Sequence, residues 1–383
     1  MDAPILGPSL SELRDTRTSV KWRAFGDDVI PVWVAEMDAR PCPPVVDTVS
    51  AAMARGDTGY AWGPPFVAAV SRYAADTWGW QIDPDATAQT ADVMIGVAEL
   101  VRLFTDDGDA VVVSPPVYDA FYGFVEAVGR RVVEAPLTAE GRLCADTLVA
   151  AFREARRGGG RAAYLLCNPQ NPTGVVHTAA ELTMVAALAA EYEVRVIADE
   201  IHAPLVYDTA AFTPYLTVPG AESGVTMFSP SKGWNLAGLK AGLAIAGPGA
   251  AADLRRLAEV HRHGASHLAV QAQTTALDDG RAWLAALLTE LDANRRLVTD
   301  LLAEHLPGVG YRMPEATYLA WLDFRGLDLG DDPATVLRRR AGVAMSSGHR
   351  YGTPGAGFAR LNFATSPANL TEAVARMGAA LRG

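Results

Sequence analysis

Five short apolar runs stand out in the first two thirds of the chain: Ala110–Val113, 162–166, 194–198, Val225–Phe228 and 243–246. They carry few charges and no strict alternation of apolar and polar positions, as expected of strands covered on both faces. Stretches with helical spacing separate them, 179–192 among them. Alternation of strand and helix implies an α/β sheet with right-handed crossovers. The last third reads differently. Residues 282–305 have helical periodicity, 317–324 and 358–363 read as strands, and 370–381 as a closing helix. This predicts a smaller α+β lobe, against which the N-terminal stretch packs.

A length of 383 residues is long for a single core and favours two closely packed lobes. The division expected is a large lobe over 46–265 and a small one over 1–45 and 266–383. A net charge of −11, from 33 basic and 44 acidic residues, argues against nucleic acid or an anionic membrane as partner. No stretch approaches the roughly 20 apolar residues of a membrane span, and the first residues lack the pattern of a signal peptide. Cys42, Cys144 and Cys167 are scattered and odd in number. That gives no disulfide framework and no metal knuckle, and fits small buried side chains in a reducing cytoplasm. His261, His263 and His267 lie close together, but not as H-E-x-x-H and with no carboxylate placed as a third ligand, so no metal site is expected.

The candidate chemistry sits just beyond the carboxyl ends of the apolar runs, where open α/β sheets bind ligands. Residues 194–198 lead into Asp199-Glu200-Ile201-His202, and Val225–Phe228 into Ser229-Pro230-Ser231-Lys232. Residues 162–166 run into Asn168-Pro169-Gln170-Asn171-Pro172-Thr173-Gly174, and Ala110–Val113 into Ser114-Pro115-Pro116-Val117-Tyr118. Taken singly, each has a plain explanation: an Asp after a strand often caps a helix, a loop Lys is usually solvated, and the Asn-Pro run could be a turn. Their joint occurrence in this order is hard to obtain by chance.

The order Y-D-A-F, N-P-Q-N-P-T-G, D-E-I-H, S-x-S-K-x-x-N and F-x-R-L-N resembles the fold-type I pyridoxal-phosphate enzymes. Within them it resembles the cystathionine β-lyase (C–S lyase) branch of the MalY and PatB type. The likeness spans the chain, from Trp33-Val34-Ala35-Glu36-Met37-Asp38 through Gly59-Tyr60 to Arg360-Leu361-Asn362-Phe363. It implies an aspartate aminotransferase-like fold: a large cofactor-binding domain on a mostly parallel seven-stranded sheet flanked by helices, plus a smaller α+β domain.

The resemblance also implies roles. Lys232 forms the Schiff base with pyridoxal 5′-phosphate, and Asp199 pairs with the pyridine nitrogen, which keeps the ring an electron sink. Asn171 bonds the phenolic oxygen and Tyr118 stacks on the ring. Ser229 and Lys240 serve the phosphate, Lys240 standing where aminotransferases typically carry arginine. Gly96, Val97 and Ala98 open a helix and cradle the phosphate with their N–H groups. Tyr60 reaches the phosphate of a neighbouring subunit, which makes the active unit a homodimer and places Tyr60 near the substrate. Arg360 grips the α-carboxylate of an amino-acid substrate, with Asn171 beside it.

Two departures from the branch are visible. The segment 96–105 is about one helical turn shorter than in many relatives, and Ser346-Ser347-Gly348 replaces a Pro-Gly near the substrate. His202, where many aminotransferases have tyrosine, favours β-elimination from cystathionine or another cysteine S-conjugate, with Lys232 as base. The alternatives are an aminotransferase using an α-keto acid, and a regulatory protein on an enzyme scaffold.

Overall fold

Both faces of the central sheet are buried, and the consequence is visible residue by residue. The computed structural model describes residues 3–257 and 263–382. Its large sheet has seven strands: β1 Thr87–Thr90, β2 Ala110–Val113, β3 Arg131–Glu134, β4 Ala162–Cys167, β5 Val194–Asp199, β6 Val225–Phe228 and β7 Gly242–Ala246. Their spatial order is β1-β7-β6-β5-β4-β2-β3, and only β7 runs against its neighbours. Val111, Val113, Ala163, Leu165, Cys167 and Ile197 point into one apolar layer, shared with helix Val93–Phe104. Ala110, Val112, Tyr164, Leu166, Val196 and Ala198 point into the other, against helices Ala145–Ala155 and Ala179–Glu191. The period of two is present, but both phases are apolar, so the sequence reads as continuous runs.

The five expected strands form within a residue of their expected ends. Those the apolar runs do not announce, β1 and β3, are the sheet's two edges. Thr-Ala-Gln-Thr is half-buried in alternation, and Arg-Val-Val-Glu is exposed or half-buried throughout. An edge strand lacks cover on one side and therefore lacks the apolar signature.

A second sheet of four antiparallel strands follows, in the order Ser346–Ser347, Phe358–Asn362, Leu319–Asp323, Gly310–Tyr311. Helices Arg281–His305 and Pro367–Arg382 pack on each other beside it. The N-terminal stretch joins this side, as Ile30–Pro31 pairs in parallel with Val343–Ala344. Helix His267–Asp279, on the small-lobe side of the expected division, packs on Pro43–Arg55 and Pro64–Trp78, and its Gln273 bonds Ser229 beside the large sheet. Among the described residues no helix is long and apolar enough to cross a membrane.

One buried ion pair anchors the N-terminal stretch. Lys21 Nζ is 2.8 Å from Asp38 Oδ1, with side chains 1% and 3% exposed. Trp22 Nε1 donates to the same Asp38 oxygen at 3.1 Å, and Lys21 also donates to the Glu36 carbonyl at 2.9 Å. Removing one partner leaves the other charge buried and unpaired, which costs about 3–5 kcal/mol. Lys21→Met is therefore expected to lose stability on that scale, read as a lowered midpoint in urea unfolding followed by Trp fluorescence.

Candidate active site

The carboxyl ends of the parallel strands open on a cavity of about 270 Å³ lined by Tyr118, Asn171, Asp199, His202, Lys232 and Arg360, among others. A second cavity of about 280 Å³ adjoins it. The two share Val93, Met94, Tyr118, Ile201 and Lys232, and the second adds Ser229 and Lys240. The four sequence motifs and the late arginine thus converge on one place.

Asp199 ends β5 in register with Cys167 of β4, on the face turned to helix Val93–Phe104. Its Oδ1 accepts from the Ile201 N–H at 3.1 Å. Burial pushes its pKa up to about 6, against the pull of that hydrogen bond and of Lys232. A buried carboxylate in this condition favours a cationic partner. Lys232 is half-buried and lines both cavities. Its Nζ donates to the Ala35 carbonyl at 2.8 Å, and burial first, then the Arg360 charge, pulls its pKa down to about 8.

Asn171 lies in a turn closed by Gly174 (φ +69°), where a Cβ would meet Pro314 Cβ at 2.3 Å. Its Oδ1 accepts from Arg360 Nη1 at 3.0 Å. Arg360 sits mid-strand in the small sheet, 4% exposed, with Nη2 on the Trp33 carbonyl at 3.0 Å and its guanidinium 5.1 Å from the Tyr351 ring centroid. Its buried Nε meets no acceptor among the described residues, and His202 Nδ1 is likewise without a partner. Burial, then the charges of Lys232 and Arg360, holds the His202 imidazole well below its ordinary pKa and hence neutral. Burial raises the Tyr118 phenol, which stays protonated.

Residues 33–35 line one side of the first cavity, and each of the five consecutive carbonyls from Trp33 to Met37 is taken by a side chain. Arg360 holds Trp33, Asn362 holds Val34, and Lys232 with Tyr318 holds Ala35. Lys21 with Asn362 holds Glu36, and Asn235 holds Met37.

Some expected residues stand elsewhere. Helix Val93–Phe104 begins one turn before Gly96, with Asp92 as N-cap accepting from the Ile95 N–H. Gly96, Val97 and Ala98 are therefore inside the helix and buried, and the Gly96 N–H is spent on the Asp92 carbonyl. Gly96 serves close packing instead, since a Cβ there would come within 2.2 Å of Met227 Cε. The first-turn residues lining both cavities are Val93 and Met94. An Asp directly before an apolar run is the signal that identifies this start.

The Ser229 hydroxyl is turned inward, bonded to the Ala241 carbonyl (2.9 Å) and Gln273 Oε1 (3.1 Å). Lys240 Nζ pairs with Asp92 Oδ2 at 2.6 Å at the edge of the second cavity. Tyr60 is 93% exposed and lines neither cavity. Ser346 does line the first, beside Asp119, the second residue of the Y-D-A-F motif, and Arg350, which no sequence motif marks. His261 lies outside the described residues, and His267 Nε2 is bonded to Asp57 Oδ1 at 3.1 Å.

Residues 38–377 match the family model described as aminotransferase class I and II. The chain is 53% identical over 382 residues, 95% of each chain, to a Mycobacterium leprae (strain TN) protein named "Putative cystathionine beta-lyase". It is 32% identical over 379 residues, 95% of this chain and 96% of the other, to "Cystathionine beta-lyase PatB" of Bacillus subtilis (strain 168). The crystal structure of a "putative plp-dependent beta-cystathionase" from Corynebacterium diphtheriae covers 100% of both chains with a TM-score of 0.92 at 33% identity. These matches agree with the fold and the branch that the sequence motifs indicated.

The lowered pKa of Lys232 has a testable consequence. An amine reacts in its neutral form, which exists above the pKa; at pH 7 that fraction is roughly 1 in 3,000 for an ordinary lysine and roughly 1 in 10 at a pKa of about 8. The rate at which a small amine reagent labels Lys232, read by peptide mass spectrometry, is expected to rise with pH and level off above about 8. A rise continuing past pH 10 counts against the burial argument.

Proposed function

This chain belongs to the class I and II aminotransferase family, and we propose that it is a pyridoxal-phosphate-dependent carbon–sulfur β-lyase. Its substrate is cystathionine or another L-cysteine S-conjugate, which with one water gives a thiol, pyruvate and ammonia. The observation that carries this reading is one cavity holding a partly deprotonated amine (Lys232), a buried carboxylate (Asp199) and a buried arginine with an unsatisfied Nε (Arg360). The choice of β-elimination over transamination is supported by the names of the relatives at 53% and 32% identity. It is also supported by a neutral His202 where many aminotransferases carry tyrosine.

The residues fit the cofactor. Asp199 would take the ring nitrogen, a cation that relieves the cost of burying its carboxylate. Asn171 has Oδ1 committed to Arg360 and so would offer Nδ2 to the ring oxygen. Tyr118 would cover a ring face, and the Val93 and Met94 N–H groups with Lys240 would receive the phosphate at a helix start. When bound, pyridoxal phosphate supplies an aldehyde for amines and a ring that takes up the electron pair of a broken Cα–H bond.

The chain's own residues do the rest. Arg360 would hold the α-carboxylate through its unspent Nε–H and orient the amino acid. Lys232 Nζ would anchor the cofactor, and once displaced by the substrate amine it would remove the Cα proton. The same Nζ can deliver that proton to the departing sulfur. A pKa of about 8 suits both duties near neutrality.

A second copy of the chain completes the site in this reading. Tyr60 and Trp62 are 93% and 69% exposed, a large aromatic surface for a monomer to leave in water. A homodimer buries it and carries Tyr60 to the partner's phosphate end. The free thiols of Cys42, Cys144 and Cys167 fit a cytoplasmic setting.

The test is purified protein with pyridoxal phosphate and L-cystathionine, no α-keto acid present, with pyruvate followed by a coupled reductase. Sustained pyruvate release is expected, and Lys232→Ala is expected to lower it by about 100-fold or more. Turnover that begins only when an α-keto acid is added assigns an aminotransferase instead.

A further inference from the structure

The Lys232 cavity has a second charged end. Arg360, which takes the α-carboxylate in the reading above, is 4% exposed, whereas Arg350, lining the same cavity, has a side chain 59% exposed. One cation is therefore deep and the other stands at the mouth. Arg350 Nε and Nη2 both reach Asp119 Oδ2, at 2.8 and 2.6 Å. Asp119 Oδ1 and Arg350 Nη1 take no part in that pair. Arg350 is open to solvent while the Asp119 side chain is 17% exposed, and an ion pair with one partner in water can exchange that partner at modest cost.

Backbone, rather than the pair itself, fixes both groups. Asp119 precedes helix Ala120–Ala127 without spending its carboxylate as a cap. Arg350 lies in the one-turn helix Gly348–Tyr351. A Cβ on Gly348 would meet the Gly355 carbonyl oxygen at 2.0 Å, so two backbone segments touch there and admit no side chain. The Tyr351 carbonyl accepts from the Val117 N–H at 3.0 Å, and the Tyr351 hydroxyl donates to Ser346 at 2.8 Å. A guanidinium and a carboxylate are thus set side by side at the mouth, one from each sheet's neighbourhood. Trp33, Val34 and Ala120 give the same cavity an apolar wall.

An α-amino-acid head carries a carboxylate and an ammonium on one carbon. The deep end already matches one such head, and the mouth offers the charges for another, with apolar wall suited to a thioether chain. We propose that Arg350 and Asp119 form a subsite for a second amino-acid head, Arg350 taking the distal carboxylate and Asp119 the distal ammonium. The subsite selects S-conjugates whose leaving thiol is itself an amino acid, such as L-cystathionine, over simple S-alkyl cysteines. This rests on the lyase reading for the identity of the substrate, while the discrimination itself is a matter of binding.

The experiment compares L-cystathionine with S-ethyl-L-cysteine on the holoenzyme. Affinities are read from the shift of the visible cofactor band in the first moments after mixing, and KM and kcat from pyruvate release. In the unsubstituted enzyme L-cystathionine is expected to bind more tightly. In Arg350→Met the ratio of the two affinities is expected to move about 10-fold toward S-ethyl-L-cysteine, the worth of a charge-assisted hydrogen bond. Asp119→Asn is expected to move it the same way. KM for L-cystathionine should carry the change, with little in kcat. Equal weakening of both ligands, or no preference in the unsubstituted enzyme, overturns the proposal and leaves the pair as a contact between the lobes. Absence of pyruvate from both substrates counts against the lyase reading, and the binding ratio still decides the subsite.

Discussion

Lys232 and Arg360 both lean on the row of carbonyls at 33–37. Two cations, the half-buried Lys232 and the buried Arg360, find acceptors there, and so do Tyr318, Asn362, Asn235 and Lys21. A carbonyl satisfies a donor without neutralising its charge. Lys232 is therefore hydrogen-bonded yet not compensated for leaving water, and its pKa falls to about 8, with Asp199 too weak a counterweight to reverse the effect. Had the wall offered a carboxylate at the Ala35 position, the same lysine would be held protonated and unable to act as an amine. The Lys21–Asp38 pair keeps its charges at the back of this wall, where they tie the row to helix Val20–Arg23.

The sheet contributes through parity. Because both faces are buried, successive residues at a strand's end enter different layers. Asp199 emerges on the cavity side, while Glu200, one residue on, turns away. Glu200 Oε1 accepts from Asn168 Nδ2 at 3.2 Å and from the Tyr215 N–H at 2.7 Å, and burial lifts its pKa to about 8. Two adjacent acids thus serve different ends: Asp199 faces the cavity, and Glu200 braces the turn that carries Asn171. A one-residue slip in β5 would exchange them, so the apolar packing that fixes the register also selects the acid that faces the cavity.

How much of this was legible follows from what leaves a mark on sequence. Strands β2, β4, β5, β6 and β7 are apolar because they are covered twice, and the motifs carrying Asp199, Asn171, Lys232 and Tyr118 lie directly after four of them. The edge strands β1 and β3 carry no such mark. The helix start was read one turn late, at Gly96, whose role is to let the helix approach Met227. The inward turn of the Ser229 hydroxyl depends on Gln273, 44 residues away, and no local pattern could supply it. Tyr60 is recognisable in sequence but lines neither cavity of its own chain.

The groups that would meet a substrate come from different parts of the molecule. Asp199, Asn171 and Lys232 follow strands of the seven-stranded sheet. Arg360 and Arg350 belong to the four-stranded sheet and its adjoining turn, and Ala35 to the N-terminal segment. Their register is held by a few polar bonds: Arg360 to Asn171 (3.0 Å), Tyr351 to Val117 (3.0 Å), and Glu134 receiving both the Tyr122 hydroxyl (2.6 Å) and the Thr353 hydroxyl (2.5 Å). In the proposed reading the two arginines that would grip substrate thus sit beside one sheet and Lys232, which would move the proton, beside the other. Affinity for an amino acid is in consequence sensitive to small changes where the two bodies meet, while the pKa of Lys232 depends on burial that both supply. Substitutions along that seam should therefore alter binding before they alter proton transfer.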